Sequence, residues 1–252
     1  DPHRFPAFID QTPIFPSGRL SVNKNLRPWL RRLVRHWIFS TGILVLSIFT
    51  FRSAIADWND VPTGSMKPTI LIGDRIFVNK LAYDLKVPYT RWRVAWREDP
   101  KRGDIVVLQS PADGARLVKR VIGLPGDTVA LAGGILVVNG IPAEYSPLPQ
   151  GMVTELAFRD ELPILAAERL GNASHAVMLS GRAISRRNVD STTVPEGHYF
   201  VMGDNRDQSL DSRHFGPVQR TFIIGQATAV AASVDPEHHY LPRWDRFLHA
   251  LR

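Results

Sequence analysis

The sequence predicts a mainly β protein: an antiparallel β-sheet domain that contains an inserted subdomain and follows one N-terminal transmembrane helix. Two observations lead to this prediction. A single long uncharged stretch, from His36 to Phe51, lies near the beginning of the 252-residue chain. Behind it, helical periodicity is scarce, and short runs rich in β-branched residues are bounded by Gly, Pro, Asn or Asp, as strands usually are.

The uncharged stretch suits a membrane span. The predicted span covers residues 36–56, and about twenty residues at ~1.5 Å per residue cross a bilayer as a helix. Arg35 and Arg52 flank its uncharged part and can reach the two interfaces, while Trp37 suits the headgroup region. The alternative is a buried core helix, which an uncharged stretch of this length also permits.

Basic residues are concentrated before the span. Residues 1–35 hold seven Lys or Arg and two Asp, a net charge of +5 out of +7 for the whole chain, so the other 217 residues carry +2. The positive-inside rule places this basic tail in the cytoplasm and the body of the chain beyond the membrane. A nucleic-acid partner is not expected, because the body is nearly neutral and has no recognition motif.

The chain contains no cysteine. This excludes a disulfide scaffold, a thiol nucleophile, a thiolate-held iron–sulfur cluster and a Cys-rich zinc site. The histidines show no spacing that is typical of a metal site, so neither a metal nor another cofactor is expected.

The body of the chain divides into a β-rich core, predicted over residues 57–140 and 196–235, and a segment inserted between its two parts. The predicted strands of the core are the apolar runs at 75–78, 105–108, 117–122, 135–138, 198–202 and 227–231. Asn139 and Gly140 follow one run and indicate a type I′ hairpin turn. The inserted segment, residues 141–195, is rich in proline and shows few clear strands, with a possible short helix around Ile164–Leu170.

Two further segments could contact the membrane. Residues 88–97 mix aromatic and cationic side chains, which could contact lipid headgroups. The alternative is an ordinary edge strand or loop. Residues 236–252 form an amphipathic tail, expected either as a helix docked on the domain or as one lying on the membrane surface. Its apolar side chains at helical spacing are Trp244, Phe247, Leu248 and Leu251.

A serine and a lysine are the candidate reactive groups. Ser65 follows Gly64 in a turn-rich stretch, and the glycine would let a substrate backbone come close. Lysine can act as a base only when it is neutral, and burial in an apolar setting can lower its pKa by several units. Lys119 lies in the apolar run 117–122. The alternatives are an ordinary turn serine and an exposed lysine on a half-buried strand.

Four motifs then occur in a fixed order along the chain. They are Pro62–Thr69, Arg102–Val107, Lys119–Asp127 and Gly203–Arg213. The last one crowds Asp, Asn, Ser and Arg into one loop but lacks the spacing of an EF-hand calcium site. In this order the four motifs resemble bacterial type I signal peptidases, membrane-anchored Ser/Lys leader peptidases of family S26. The resemblance runs from about residue 52 to residue 218.

The resemblance implies a role for each matching residue. Ser65 corresponds to the nucleophile and Lys119 to the general base. The hydroxyl of Thr63 and the backbone N–H of Ser65 correspond to the oxyanion hole; the family often has Ser at the position of Thr63. Ser209 corresponds to a hydroxyl that orients the lysine, and Asp211 and Arg213 to a supporting pair, for which a plain structural salt bridge is the alternative. The resemblance also implies an all-β catalytic core with a variable insertion before the fourth motif.

The implied function is removal of N-terminal signal peptides from secreted preproteins, at sites with small residues one and three positions before the cut. The expected partners are preprotein signal peptides and the lipid bilayer of the bacterial cytoplasmic membrane, and the enzyme is expected to work as a monomer. One alternative is a specialised Ser/Lys peptidase for a single exported substrate, such as a conjugation or pilus subunit. Another is a non-enzymatic membrane-anchored peptide-binding β module, against which the intact Ser65 and Lys119 argue.

Overall fold

The structure, a computed structural model, describes residues 28–54, 56–87, 90, 92–148, 164–179 and 188–251. Most of the basic tail, residues 1–27, and residues 149–163 of the inserted segment lie outside the described residues. By its internal contacts the chain divides into two compact units, Asp1–Leu46 and Ser47–Arg252.

One long helix, α1 (Pro28–Ala54), contains the uncharged stretch. Its segment Arg32–Thr50 is long and apolar enough to cross a membrane, and none of it is buried within the protein. Large apolar side chains such as Trp37 are more than half exposed along it. By its length and composition this segment fits a single membrane span. The predicted span extends too far at its end, because Ala56 already begins the first strand.

The rest of the described chain is mainly β, as the sequence predicts. The strands are β1 (Ala56–Asp60), β2 (Asp74–Asn79), β3 (Asp84–Lys86), β4 (Arg93–Trp96), β5 (Ile105–Gln109), β6 (Arg116–Gly123), β7 (Thr128–Ala132), β8 (Ile135–Val138), β9 (Ile141–Pro142), β10 (Glu144–Pro147), β11 (Ile164–Leu170), β12 (Ala173–Leu179), β13 (Val189–Thr193), β14 (His198–Met202), β15 (Val218–Gln219), β16 (Ile223–Asp235), β17 (Leu241–Pro242) and β18 (His249–Ala250). A one-turn helix, α2 (Ser212–Phe215), precedes β15, and the 3-10 helices are Arg220–Phe222, Pro236–His238 and Trp244–Arg246.

The described strands form four sheets in which neighbouring strands are antiparallel. The largest sheet has the order β1-β2-β16-β5-β6-β14-β15, with β17 and β18 also paired to β16. The smaller sheets have the orders β13-β7-β8-β9, β10-β11-β12 and β3-β4. Strand β16 is thirteen residues long and reaches several partners because its pairing with β2 and β5 shifts register at bulges. A Cβ at Gly225 would lie 2.6 Å from the carbonyl oxygen of Asn79, so the strands approach too closely there for any other residue.

The predicted hairpin turn at Asn139 and Gly140 is confirmed. Both residues have positive φ angles, 53° and 77°, as the two central residues of a type I′ turn require. The turn connects β8 to β9, which pair with each other.

The predicted helix around Ile164–Leu170 is wrong, because these residues form β11. Its even-numbered side chains from Ala166 to Leu170 are buried and Arg169 is exposed, which is the two-residue period of a strand. Ala and Glu favour helices in isolation, but pairing with β10 on one side and β12 on the other overrides that preference. The inserted segment also supplies β9 and β13, which pair with β8 and β7.

The predicted C-terminal helix is also absent from the described chain. Residues 241–250 alternate between the short strands β17 and β18 and one 3-10 turn. Leu248 has φ 56°, in the left-handed region that a right-handed helix does not use. Arg246 donates hydrogen bonds to the carboxylate of Asp74 and to the carbonyl oxygen of Thr69, so polar anchors hold this segment on the domain.

Candidate active site

Ser65 lies in a loop between β1 and β2 that is closed at its base. The N–H of Val61 donates to the carbonyl of Asp74, and the N–H of Gly73 donates to the carbonyl of Val61. Within the loop, Met66 and Ile70 are fully buried beside apolar side chains of β5. Burying two such side chains contributes roughly 1.5–3 kcal/mol each, which holds the intervening turn in place.

Lys119 lies on β6 and contacts the serine. Its Nζ is 2.7 Å from Oγ of Ser65, within hydrogen-bond distance. Only 2% of Lys119 is exposed, because β6 runs between β5 and β14 in the largest sheet. The structure therefore favours the buried lysine over the exposed one and brings the two candidate reactive groups together.

The electrostatic surroundings of Lys119 favour its neutral form. Burial is the main cause that lowers the pKa of its amine from 10.5 to about 8, and the positive charge of Arg213 acts in the same direction. The carboxylates of Asp211 and Asp204 act against this shift without cancelling it. About one lysine in ten is then neutral at pH 7, which is enough to serve as a base.

Asp211 and Arg213 form a buried pair beside the lysine. Nε and Nη2 of Arg213 each donate to the carboxylate of Asp211 at 2.8 Å, and the N–H of Gly203 donates to the same carboxylate at 2.9 Å. Burial would raise the pKa of Asp211, but Arg213, together with smaller effects of the Gly203 N–H and Ser209, holds this pKa below its ordinary value. Asp211 also caps the N-terminus of α2 through the N–H of Arg213. These contacts hold the two ends of the loop from Gly203 to Arg213 together, and the supporting role of the pair in catalysis stays a prediction.

Ser209 is not hydrogen-bonded to Lys119 in this structure. Its hydroxyl is buried and forms no hydrogen bond within the described chain, although it contributes weakly to the lowered pKa of Asp211. Gly203 separates this hydroxyl from the nucleophile turn. A Cβ at Gly203 would lie 2.3 Å from Oγ of Ser209 and 2.4 Å from the carbonyl oxygen of Ser65, so only glycine fits.

Thr63 lies two residues before the serine and is exposed. Within the described part of the chain, neither its hydroxyl nor the backbone N–H of Ser65 takes part in a hydrogen bond. Both donors are therefore available to an incoming oxygen atom. The role of Thr63 in an oxyanion hole stays a prediction.

Two sets of contacts that hold the nucleophile loop are not predicted from the sequence. Arg120, the neighbour of Lys119, is buried and donates twice to Asp204, which also accepts a hydrogen bond from Thr69 in the nucleophile loop. Asn205 donates its backbone N–H to the carbonyl of Ser65 and its side-chain amide to the carbonyl of Gly64, each at 3.1 Å. An arginine in an apolar strand was the available signal, because a buried guanidinium requires an acidic partner.

The chain is similar in sequence to proteins of a known family. The sequence model of a family described as signal peptidase, peptidase S26, matches residues 34–232. The signal peptidase I of Pseudomonas aeruginosa is 37% identical over 221 residues, which cover 79% of this chain and 73% of that protein. The signal peptidase I of Buchnera aphidicola subsp. Acyrthosiphon pisum is 31% identical over an alignment of 265 positions, which covers 90% of this chain and 83% of that protein.

Among solved structures, the crystal structure of a signal peptidase I from Enterococcus faecalis is 32% identical and covers 52% of this chain and 98% of its own, with a TM-score of 0.34. The match of the family model over residues 34–232 and the identity with these relatives lead to one conclusion: this chain belongs to the signal peptidase family, peptidase S26.

Proposed function

We propose that this chain is a membrane-bound serine endopeptidase that removes N-terminal signal peptides from exported preproteins at small-x-small sites. Ser65 is the nucleophile and Lys119 is the general base. The observation that carries the proposal is the 2.7 Å contact between Oγ of Ser65 and Nζ of a lysine whose burial lowers its pKa to about 8. The relatives named signal peptidase I support the substrate class.

The first half of the reaction forms an acyl-enzyme. Neutral Lys119 accepts the proton of the Ser65 hydroxyl as Oγ attacks the carbonyl carbon of the last signal-peptide residue. The N–H of Ser65 and the hydroxyl of Thr63 stabilise the negative charge that develops on the carbonyl oxygen. Losing one such donor typically costs ~10²–10³ in rate. The ammonium of Lys119 then returns its proton to the leaving amine, which becomes the N-terminus of the mature protein.

The second half releases the signal peptide. Lys119, neutral again, accepts a proton from water as the water attacks the acyl carbon, and the same proton returns to Oγ of Ser65 when the ester bond breaks. One lysine thus serves as acid and base in both halves, which requires a pKa near the working pH rather than near 10.5.

Purified full-length protein in detergent, incubated with a preprotein that carries an Ala-x-Ala site, tests the proposal. Ser65→Ala and Lys119→Met are each expected to lower the cleavage rate at least ~10³-fold, because each removes one half of the dyad. N-terminal sequencing of the product identifies the cleaved bond.

Ser191→Ala and Lys101→Met are the matched controls, since they make the same changes at exposed positions and are expected to cleave normally. Cleavage by Ser65→Ala or Lys119→Met at the wild-type rate contradicts the mechanism. Binding of the preprotein without cleavage by the wild-type protein favours the peptide-binding module instead.

The proposal includes anchoring by α1 in the bacterial cytoplasmic membrane, with residues 1–35 in the cytoplasm and the β domain on the periplasmic or extracellular side. Support comes from the unburied apolar surface of Arg32–Thr50 and from the net charge of +5 before the predicted span. A topology reporter fused after residue 252 is expected to lie outside the cytoplasm, and a cytoplasmic reading contradicts the orientation.

Contact of the β domain with lipid is also proposed. Val94 and Trp96 lie at alternate positions of β4 and therefore point to one side of it, and Trp92 immediately precedes the strand. Trp92, Val94 and Trp96 are 77%, 64% and 64% exposed. Tryptophan favours the headgroup region of a bilayer. We further propose that the protein acts as a monomer, since nucleophile and base come from one chain.

A further inference from the structure

A row of polar side chains crosses a small sheet outside the Ser65–Lys119 pair. Tyr145 on β10 lies opposite Glu168 on β11, and Glu168 lies opposite His175 on β12. Directly opposed residues of antiparallel strands project from the same face of a sheet, so the register alone brings these three side chains together. Arg206, from the loop that follows β14, joins them.

The four side chains are held by direct contacts. The two Nη atoms of Arg206 donate to the two carboxylate oxygens of Glu168, the hydroxyl of Tyr145 donates to Oε2, and Nε2 of His175 lies 3.3 Å from Oε1. Glu168 and Arg206 are 0% and 4% exposed. Burial would raise the pKa of Glu168, but Arg206 and His175 outweigh burial and keep this pKa below its ordinary value.

A buried ion pair of this kind fixes the relative orientation of its two side chains more than it adds to the free energy of unfolding. Replacing such a pair by apolar residues is often neutral or stabilising, because desolvation offsets the attraction. A bidentate guanidinium–carboxylate pair, in contrast, allows one relative orientation of its two partners. The pair between Arg206 and Glu168 therefore sets where the loop after β14 lies against β11.

The backbone on either side of Asn205 is anchored to the same small sheet. The N–H of Met178 on β12 donates to the carbonyl of Asp204 at 2.9 Å, and the N–H of Arg206 donates to the carbonyl of Met178 at 3.0 Å. Asn205 lies between these two bonds. It donates to the carbonyls of Gly64 and Ser65, so one residue connects the buried cluster to the nucleophile turn.

We infer that Glu168 is a positioning residue for Ser65, acting through Arg206 and Asn205. Contacts with the sheet β10-β11-β12 fix the position of the loop from Asp204 to Arg206. The hydrogen bonds of Asn205 then fix the turn that carries the nucleophile relative to that loop. The inference rests on the proposed role of Ser65 in peptide cleavage.

Glu168→Gln in the full-length protein tests the inference, since it keeps the shape of the side chain and removes its charge. The cleavage rate constant kcat of the Ala-x-Ala preprotein is expected to fall about tenfold, because small displacements of a nucleophile cost one to two orders of magnitude. KM is expected to stay within about twofold, since no contact with substrate is removed. Glu144→Gln is the matched control: Glu144 pairs with Arg169 in the same sheet, but both side chains are exposed.

A second substitution separates positioning from a general loss of structure. If Glu168 acts through Asn205, then Glu168→Gln in an Asn205→Ala background lowers kcat no further. A purely structural role lowers kcat by the same factor in both backgrounds and overturns the inference, as does a full kcat in Glu168→Gln alone. If Glu168→Gln does not fold, Arg206→Lys takes its place in the same cycle, because lysine keeps the charge and loses the bidentate geometry.

Ser65→Ala, assayed in parallel, distinguishes the two proposals. Full cleavage by Ser65→Ala overturns the proposed function and the positioning role with it. No cleavage by Ser65→Ala together with a full rate in Glu168→Gln overturns the positioning role alone.

Discussion

Lys119 and Glu168 are equally buried, and their surroundings have opposite effects. Glu168 contacts Arg206, His175 and Tyr145, and Arg206 and His175 hold its pKa below the ordinary value against the effect of burial. The described contact of the Lys119 amine is the neutral hydroxyl of Ser65, and burial lowers its pKa to about 8. Burial alone therefore does not decide the charge of a group; its partners do.

Asp211 is paired with Arg213, and within the described residues Lys119 has no carboxylate in direct contact. Asp211 is close enough to raise the pKa of Lys119, but its oxygens accept hydrogen bonds from Arg213 and Gly203. A carboxylate that is satisfied elsewhere attracts the ammonium only at a distance. The partners of Glu168 favour its ionised form, whereas the surroundings of Lys119 favour its neutral form.

Removing the carboxylate of the paired cluster gives the largest expected change in stability. Glu168→Ala is expected to lower the free energy of unfolding by about 3–5 kcal/mol, because it leaves the guanidinium of Arg206 buried without its partner. Denaturant unfolding in one detergent, followed by tryptophan fluorescence, measures this change. Glu144→Ala is expected to stay within about 1 kcal/mol of wild type, since the pair that it breaks is exposed. Equal losses in both variants would show that burial of the pair does not matter.

Much of the fold could be predicted because the strands carry local signals. The apolar runs at 105–108, 117–122 and 135–138 appear as β5, β6 and β8 with boundaries within one residue, since turn-forming residues bound them. The segment 164–170 was misread as a helix because Ala and Glu favour helices locally. Its two neighbouring strands decide its structure, and they are not visible from its own sequence.

The candidate site divides in the same way. Ser65 and Lys119 were found through motifs that resemble a known family, and the structure then brings them into contact. Tyr145, Glu168 and His175 belong to no motif, and only the register of three strands brings them into one row. Contacts of this kind depend on pairing between distant segments, which a single sequence does not encode in any local pattern.

Replacing Lys119 is expected to raise the free energy of unfolding, whereas Glu168→Ala is expected to lower it. Because folding lowers the pKa of Lys119 from 10.5 to about 8, the folded protein at pH 7 bears the whole cost of protonating a buried amine, up to about 3 kcal/mol. Between pH 8 and 10.5 the unfolded chain binds more protons than the folded one, so the free energy of unfolding of the wild type rises with pH over that range. Lys119→Met lacks this titration. It is therefore expected to be inactive but more stable than wild type at pH 7, with a difference that shrinks as the pH approaches 10.5. Unfolding curves of both proteins at several pH values measure this difference, with Lys101→Met as the exposed control, and a difference that does not change with pH would contradict a Lys119 whose pKa is lowered by folding.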